Sequence, residues 1–182
     1  EPHLLYPDRR PAVVAFVGGH DSGKTSILVE LVPRLKERGL AVGTLKHTTR
    51  DVEDDTPGKD SQRLAAAGAT VAALVTPGRT TARHLGEEEA LADILRREFR
   101  GCDLVLIEGY KSLAMPKIEV VRTGIPRPEV VEPVARISDG PFQGSVPTLS
   151  FGDWDAIVET VLRAAGLDRE SRENGRGSRK TA

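Results

Sequence analysis

The chain has 182 residues, 38% of them hydrophobic and 29% charged, with a formal net charge of −1 and one cysteine. That length suits one domain with a sizeable core, and the near-neutral balance offers no field to gather nucleic acid or an anionic membrane. No apolar run approaches a membrane span, no secretory segment opens the chain, and one thiol cannot build a disulfide framework, so a cytoplasmic protein is expected.

Residues 1–10, with Pro2 and Pro7, read as an extended lead-in to a domain over 11–167. A valine-rich run from Ala12 to Val17 reads as a buried strand, and it ends in Gly18-x-x-x-x-Gly23-Lys24-Thr25. A helical pattern then begins at Ser26, with apolar Ile27, Leu28, Leu31, Val32 and Leu35 on one face and Gly39 as its stop. Pro33 lies inside that pattern and is expected to kink the helix or displace its ladder. Strand, glycine loop and helix in this order form the phosphate-binding signature. Its glycines allow several N–H groups to face one anion, and the helix N-terminus adds partial positive charge. Gly18, Gly19, His20, Asp21, Ser22, Gly23, Lys24, Thr25 and Ser26 are therefore candidates for nucleotide binding. Lys24 would reach the β- and γ-phosphates, and the Thr25 hydroxyl would serve Mg²⁺.

Val42–His47 reads as the second strand, and Thr48–Lys59 as a long acidic loop of the kind that is functional or mobile. Ser61–Ala67 is a short helix closed by Gly68, and Val71–Val75 the third strand, with a turn at Pro77-Gly78. A short strand over Thr80–Leu85 and a helix over Glu87–Phe99, acidic in its first turn, follow. Leu104–Ile107 is a core strand between Asp103 and Glu108, with Cys102 a packed thiol at its start and Asp103 structural. Ile118–Val121 and Val134–Ile137 are further strands, Thr148–Phe151 the last, and Trp154–Ala165 the final helix, capped by Asp153 and stopped by Gly166. The tail over 168–182 has no apolar face and is expected to be disordered.

This alternation predicts an α/β, three-layer fold with a mainly parallel sheet flanked by helices. Ligands of such sheets lie beyond the carboxyl ends of the strands, which draws attention to the loops Gly18–Lys24, His47–Lys59, Glu108–Lys117 and Ser138–Gly140. Glu108 ends an apolar strand, where phosphate-loop proteins hold Mg²⁺ directly or through water. Gly109 beside it permits close backbone approach to a γ-phosphate. From the acidic loop, Asp55 and Asp60 are the metal candidates, bracketing Pro57-Gly58-Lys59. Lys46, His47, Lys59, Gly109 and Lys111 are candidates for substrate contact or switching, with plain surface roles as the alternative. Asp139 could accept hydrogen bonds from guanine N1–H and N2–H₂, although Asp139-Gly140 is also an ordinary turn pair. The histidines show no ligand spacing for zinc.

Taken together, Gly18–Thr25, Leu45-Lys46-His47, the run Asp55-Thr56-Pro57-Gly58-Lys59-Asp60-Ser61 and the segment from Asp103 to Lys111, with Pro116-Lys117-Ile118-Glu119 shortly after, are similar to the molybdopterin-guanine dinucleotide biosynthesis protein B (MobB) family. The resemblance covers Pro11 to about Ala165. It implies a P-loop NTPase-like fold and a dimeric cytoplasmic protein that binds GTP with Mg²⁺ and hydrolyses it slowly. It also implies an accessory role to the transferase that joins a guanylyl group to molybdopterin, with molybdopterin or its guanine dinucleotide as a further ligand. In that reading Gly18–Ser26 bind phosphate, Lys24 and Glu108 serve hydrolysis, Thr25 and Glu108 serve the metal, and Asp139 is the candidate for the base. The guanine tetrad Asn-Lys-x-Asp is absent as such. A small-molecule kinase and a nucleotide-gated binding module without useful turnover are the competing readings.

Overall fold

The computed structural model describes residues 10–49, 66–130, 132–142 and 144–168. Asp55, Lys59, Asp60, residues 61–65 of the expected short helix, nearly all of the lead-in and the tail after Asp168 lie outside them. The chain divides into two compact units, Glu1–His47 with Leu95–Ala182, and Thr48–Ile94.

The first unit is built on a six-stranded sheet of order β2-β5-β1-β6-β7-β8, formed by β1 (Ala12–Gly18), β2 (Val42–Lys46), β5 (Leu104–Glu108), β6 (Lys117–Val121), β7 (Ala135–Ser138) and β8 (Thr148–Ser150). Every neighbouring pair in this sheet is parallel. All five residues of β5 are buried, and so is β1 from Val14 to Val17, because central parallel strands are covered on both faces and need near-continuous apolar sequence. β1 lies between β5 and β6, with Phe16 beside Glu108 on one side and Val17 beside Glu119 on the other.

Helix α1 (Lys24–Glu37) presents Ile27, Leu28, Leu31 and Leu35 to this sheet, the face that the spacing predicts. It runs through Pro33 without a break in its helical assignment. The ring is exposed, on the side where a carbonyl that has lost its donor can meet water. Below, α3 denotes Trp154–Ala164, where Asp153 accepts a hydrogen bond from the Ala156 N–H at 3.3 Å. Its Ile157, Val158, Val161 and Leu162 join the same core, each buried side chain of this size contributing about 1.5–3 kcal/mol. At the opposite end of the sheet from the ligand side, Asp103 accepts from the Ala41 N–H at 2.8 Å, joining the starts of β2 and β5. Its expected structural role is thereby accounted for, and burial together with the Asp103 charge pushes the Cys102 thiol pKa up.

The second unit contains an antiparallel pair, β3 (Val71–Thr76) and β4 (Arg79–His84), joined across Pro77-Gly78. The third strand in chain order thus belongs to its own two-stranded sheet rather than to the parallel one. Helix α2 covers Leu91–Glu98, shorter than the expected Glu87–Phe99. Ala90 offers the first helical carbonyl, to Asp93 and Ile94, so Glu87, Glu88 and Glu89 precede the helix.

Candidate functional site

The site is assembled where β1, β5 and β2 end on the same side of the sheet. After Gly18 the chain turns through Gly19–Ser22, and Gly23, with φ 93°, caps α1 without a side-chain hydrogen bond to the helix. The first-turn amides of α1 thus have no capping side chain, the arrangement in which a helix N-terminus receives an anion. Ser22 is fully buried beneath the loop, while His20 and Asp21 pair at 2.8 Å on its exposed tip. Gly19 is packed so closely that a Cβ would collide with the Pro126 carbonyl.

Lys24 arches back over the loop. Its ammonium donates to the carbonyls of Gly19 at 2.6 Å and Gly18 at 3.3 Å and reaches Ser22 Oγ at 3.4 Å. Burial holds its pKa below the usual lysine range, with Lys46 pushing the same way and the charges of Glu108 and Asp21 opposing. An ammonium held against carbonyls beside uncapped amides suits a polyphosphate better than a single strong ion pair would.

Next to it, Thr25 Oγ1 donates to Glu108 Oε2 at 2.6 Å, and Lys46 Nζ lies 3.4 Å from Glu108 Oε1. These two contacts bring the first residues of α1, the end of β5 and the end of β2 to one point. The Glu108 carbonyl also accepts from the His47 N–H at 2.8 Å. His47 stacks on Tyr110 with ring centroids 4.0 Å apart. Gly109 (φ 110°) fits between, since a Cβ there would lie 2.7 Å from the His47 carbonyl oxygen, and Tyr110 follows at φ 50°. Tyr110, a non-glycine residue in the left-handed region, makes this a strained junction at the strand end. Lys111 is exposed in the turn beyond it, and Ser26 is exposed on the first turn of α1.

Asp139 stands apart from this cluster, after β7. Its Oδ1 accepts from the Thr123 N–H at 2.8 Å and from Thr123 Oγ1 at 2.9 Å. Those bonds from Thr123, the N–H foremost, outweigh the burial penalty and, with the Arg122 charge, hold its pKa below the usual carboxylate range. One of its oxygens is therefore engaged within the protein. Among the described residues no group of three or more His, Cys, Asp or Glu could hold a metal ion, so the local oxygen donors are Thr25 and Glu108.

Sequence reasoning passed over the loop that follows β6. Arg122 donates from Nε to the Ser22 carbonyl at 3.4 Å and stacks over Phe151 at 4.4 Å. Buried Glu119 is bound by Arg127 and Arg136, and both guanidiniums lie over Phe142. The signal was available, because Arg122 directly follows a strand, where ligand-side loops of such sheets begin.

Phosphate loop, parallel order and the Thr25–Glu108 junction define the chain as a P-loop NTPase-like α/β protein. Residues 13–137 match the family model described as molybdopterin guanine dinucleotide synthesis protein B, MobB. The chain belongs to this family. It is 32% identical over 159 residues to the molybdopterin-guanine dinucleotide biosynthesis adapter protein of Escherichia coli, covering 82% of this chain and 91% of that one. The adapter protein of Haemophilus influenzae is 30% identical over 139 residues, with 74% and 78% covered. Among solved structures, Bacillus subtilis MobB superposes with a TM-score of 0.70 at 27% identity, covering 85% of this chain and 98% of that one. A MobB homologue from Bacillus stearothermophilus gives 0.60 at 25%, covering 89% and 99%.

Proposed function

We propose that this chain is an adapter protein of molybdopterin guanine dinucleotide biosynthesis that binds GTP with Mg²⁺ and hydrolyses it slowly. The observation carrying this reading is the Thr25–Glu108 hydrogen bond of 2.6 Å, directly beside the Lys24-covered loop. A hydroxyl and a carboxylate side by side are hard oxygen donors of the kind Mg²⁺ takes, so Thr25 and Glu108 would hold it, with Asp55 and Asp60 as further candidates. Bound Mg²⁺ would neutralise charge shared by the β- and γ-phosphates. The loop amides and Lys24 bind the phosphates, Ser26 lies on the adjoining turn, and Lys46 supplies a second movable cation. Both Glu108 oxygens are engaged, by Thr25 and Lys46, which favours an acceptor role over that of a general base and hence slow turnover. His47, Gly109 and Lys111 line the junction that would sense the γ-phosphate. Asp139 reads guanine through the oxygen that Thr123 does not hold.

Exposed Val71, Leu74 and Val75 on the β3–β4 pair favour a homodimer, because edge strands with apolar faces call for cover. The partner would be the molybdopterin guanylyltransferase, with molybdopterin or its guanine dinucleotide passed between them. A lone free thiol and the absence of a long apolar helix among the described residues accord with work in the cytoplasm.

Titration calorimetry of the full chain with Mg-GTP and Mg-ATP tests the reading. Binding with a preference for GTP is expected, and Lys24→Ala should weaken it at least about a hundredfold without lowering the melting temperature. Equal affinity in Lys24→Ala would remove the site. Phosphate release should stay slow alone and change when the guanylyltransferase is added.

A further inference from the structure

Strand β6 runs beside β1 on the side away from Glu108, with Val120 opposite Gly18. It is followed by Arg122-Thr123, two residues whose contacts diverge. Arg122 turns to the phosphate loop. Its Nε donates to the Ser22 carbonyl at 3.4 Å, and Nη2 lies 3.3 Å from where a Cβ of Gly23 would be. Phe151, after β8, supports the guanidinium from its face at 4.4 Å. Thr123 turns to the other side, placing two donors on Asp139 Oδ1 at 2.8 and 2.9 Å.

We infer that Arg122-Thr123 is a positioning pair that holds the phosphate loop and the carboxylate Asp139 in one register, so that both ends of a single nucleotide are read together. The inference rests on the nucleotide site proposed above and deepens it by naming what sets base selectivity. Peptide planarity supplies the first half. In a trans peptide the carbonyl and the next N–H point in opposite directions, so a guanidinium holding the Ser22 carbonyl aims the Gly23 N–H away from Arg122. Two donors on one oxygen supply the second half, because fixing Oδ1 sets the direction in which Oδ2 is presented. Thr123's donors and the Arg122 charge also keep Asp139 ionised, hence an acceptor only. Chain continuity sets the spacing of the two halves, since residues 122 and 123 are bonded neighbours, while each keeps its own contacts, Arg122 with the loop and Thr123 with Asp139.

The test uses calorimetry of the full chain with three probes, Mg-GTP, Mg-ATP and inorganic tripolyphosphate, the last reading the phosphate loop alone. Thr123→Val should cut the GTP-over-ATP preference about threefold, no more than Asp139→Asn does, and leave tripolyphosphate affinity within about twofold. Thr123→Ser, which keeps the hydroxyl, should restore the preference. Adding Thr123→Val to Asp139→Asn should change the preference no further, as residues acting through one another are not additive. Arg122→Gln should weaken all three probes together. Full preference in Thr123→Val, or tripolyphosphate falling in step with GTP, overturns the inference while the nucleotide site stands. Absence of binding of every probe to the wild-type chain removes the site and this inference with it.

Discussion

Two carboxylates flank β1, and their surroundings are opposite. Glu108, on β5, is 9% exposed and meets a hydroxyl and a mobile lysine whose own side chain is 63% exposed. Glu119, on β6, has no exposed surface and is closed by two guanidiniums, one donated from the next strand and one from the loop above. Burial alone would push the Glu119 pKa up, but hydrogen bonds and charge from Arg127 and Arg136 outweigh it and hold it down. The difference separates a carboxylate with one exposed partner, the setting an exchangeable ligand requires, from one enclosed by two guanidiniums within the fold. A partner that can leave, such as Lys46, marks the first kind. Two planar forks locked over Phe142 mark the second.

Substitution should expose that division most strongly at Glu119. Glu119→Ala leaves two cations without their acceptor and is expected to cost about 3–5 kcal/mol in a urea titration. The lower end is favoured because Arg127, 40% exposed, can turn to water. Its tripolyphosphate affinity should stay within about twofold of wild type, and a selective loss there would erase the distinction. Glu108→Gln should behave in reverse. Glutamine still accepts from Thr25, so stability should move by less than about 1 kcal/mol, while the Mg²⁺ concentration needed for nucleotide binding should rise about tenfold. A metal titration unchanged by Glu108→Gln would take the carboxylate out of the site.

Acid denaturation sharpens the same contrast by a smaller margin. Glu119 is held below its ordinary value of 4.5 in the fold. Its contribution is therefore complete above the unfolded value and is lost as pH falls through the lower folded one. Urea midpoints measured from about pH 6 to 3 should fall along this limb in the wild type, and Glu119→Gln should flatten it. A limb of unaltered slope would assign the acid transition to other groups. Smallest of all, Asp139→Asn should narrow the choice between GTP and ATP severalfold, read by competition, with little effect on stability since the asparagine Oδ1 can still accept from Thr123.

How much of this was legible from the chain varies with the range of the interaction. The phosphate loop, its strand and its helix are contiguous, and their residue types state their geometry. Glu108 drew attention because it ends an unbroken apolar run, and Asp139 because it lies just beyond the strand expected over Val134–Ile137. Arg122 also lies just beyond a strand but lacked a familiar motif around it. Glu119 was hidden by its neighbours, since an acid between Ile118 and Val120 reads as an outward-facing strand position until Arg127 and Arg136 are seen to converge on it. The separate β3–β4 sheet was equally hidden, because local alternation fixes a strand and says nothing about which ladder it joins.

Local order in the sequence determined most of the elements, the glycine loop between β1 and α1, and the family to which the chain belongs. Only the tertiary structure decided that Thr25 and Glu108, 83 residues apart, meet at 2.6 Å, and that Arg122 lies on Ser22 across 100 residues. Those distances depend on the strand order β5-β1-β6, set by the burial of whole strands rather than by any short run of residues.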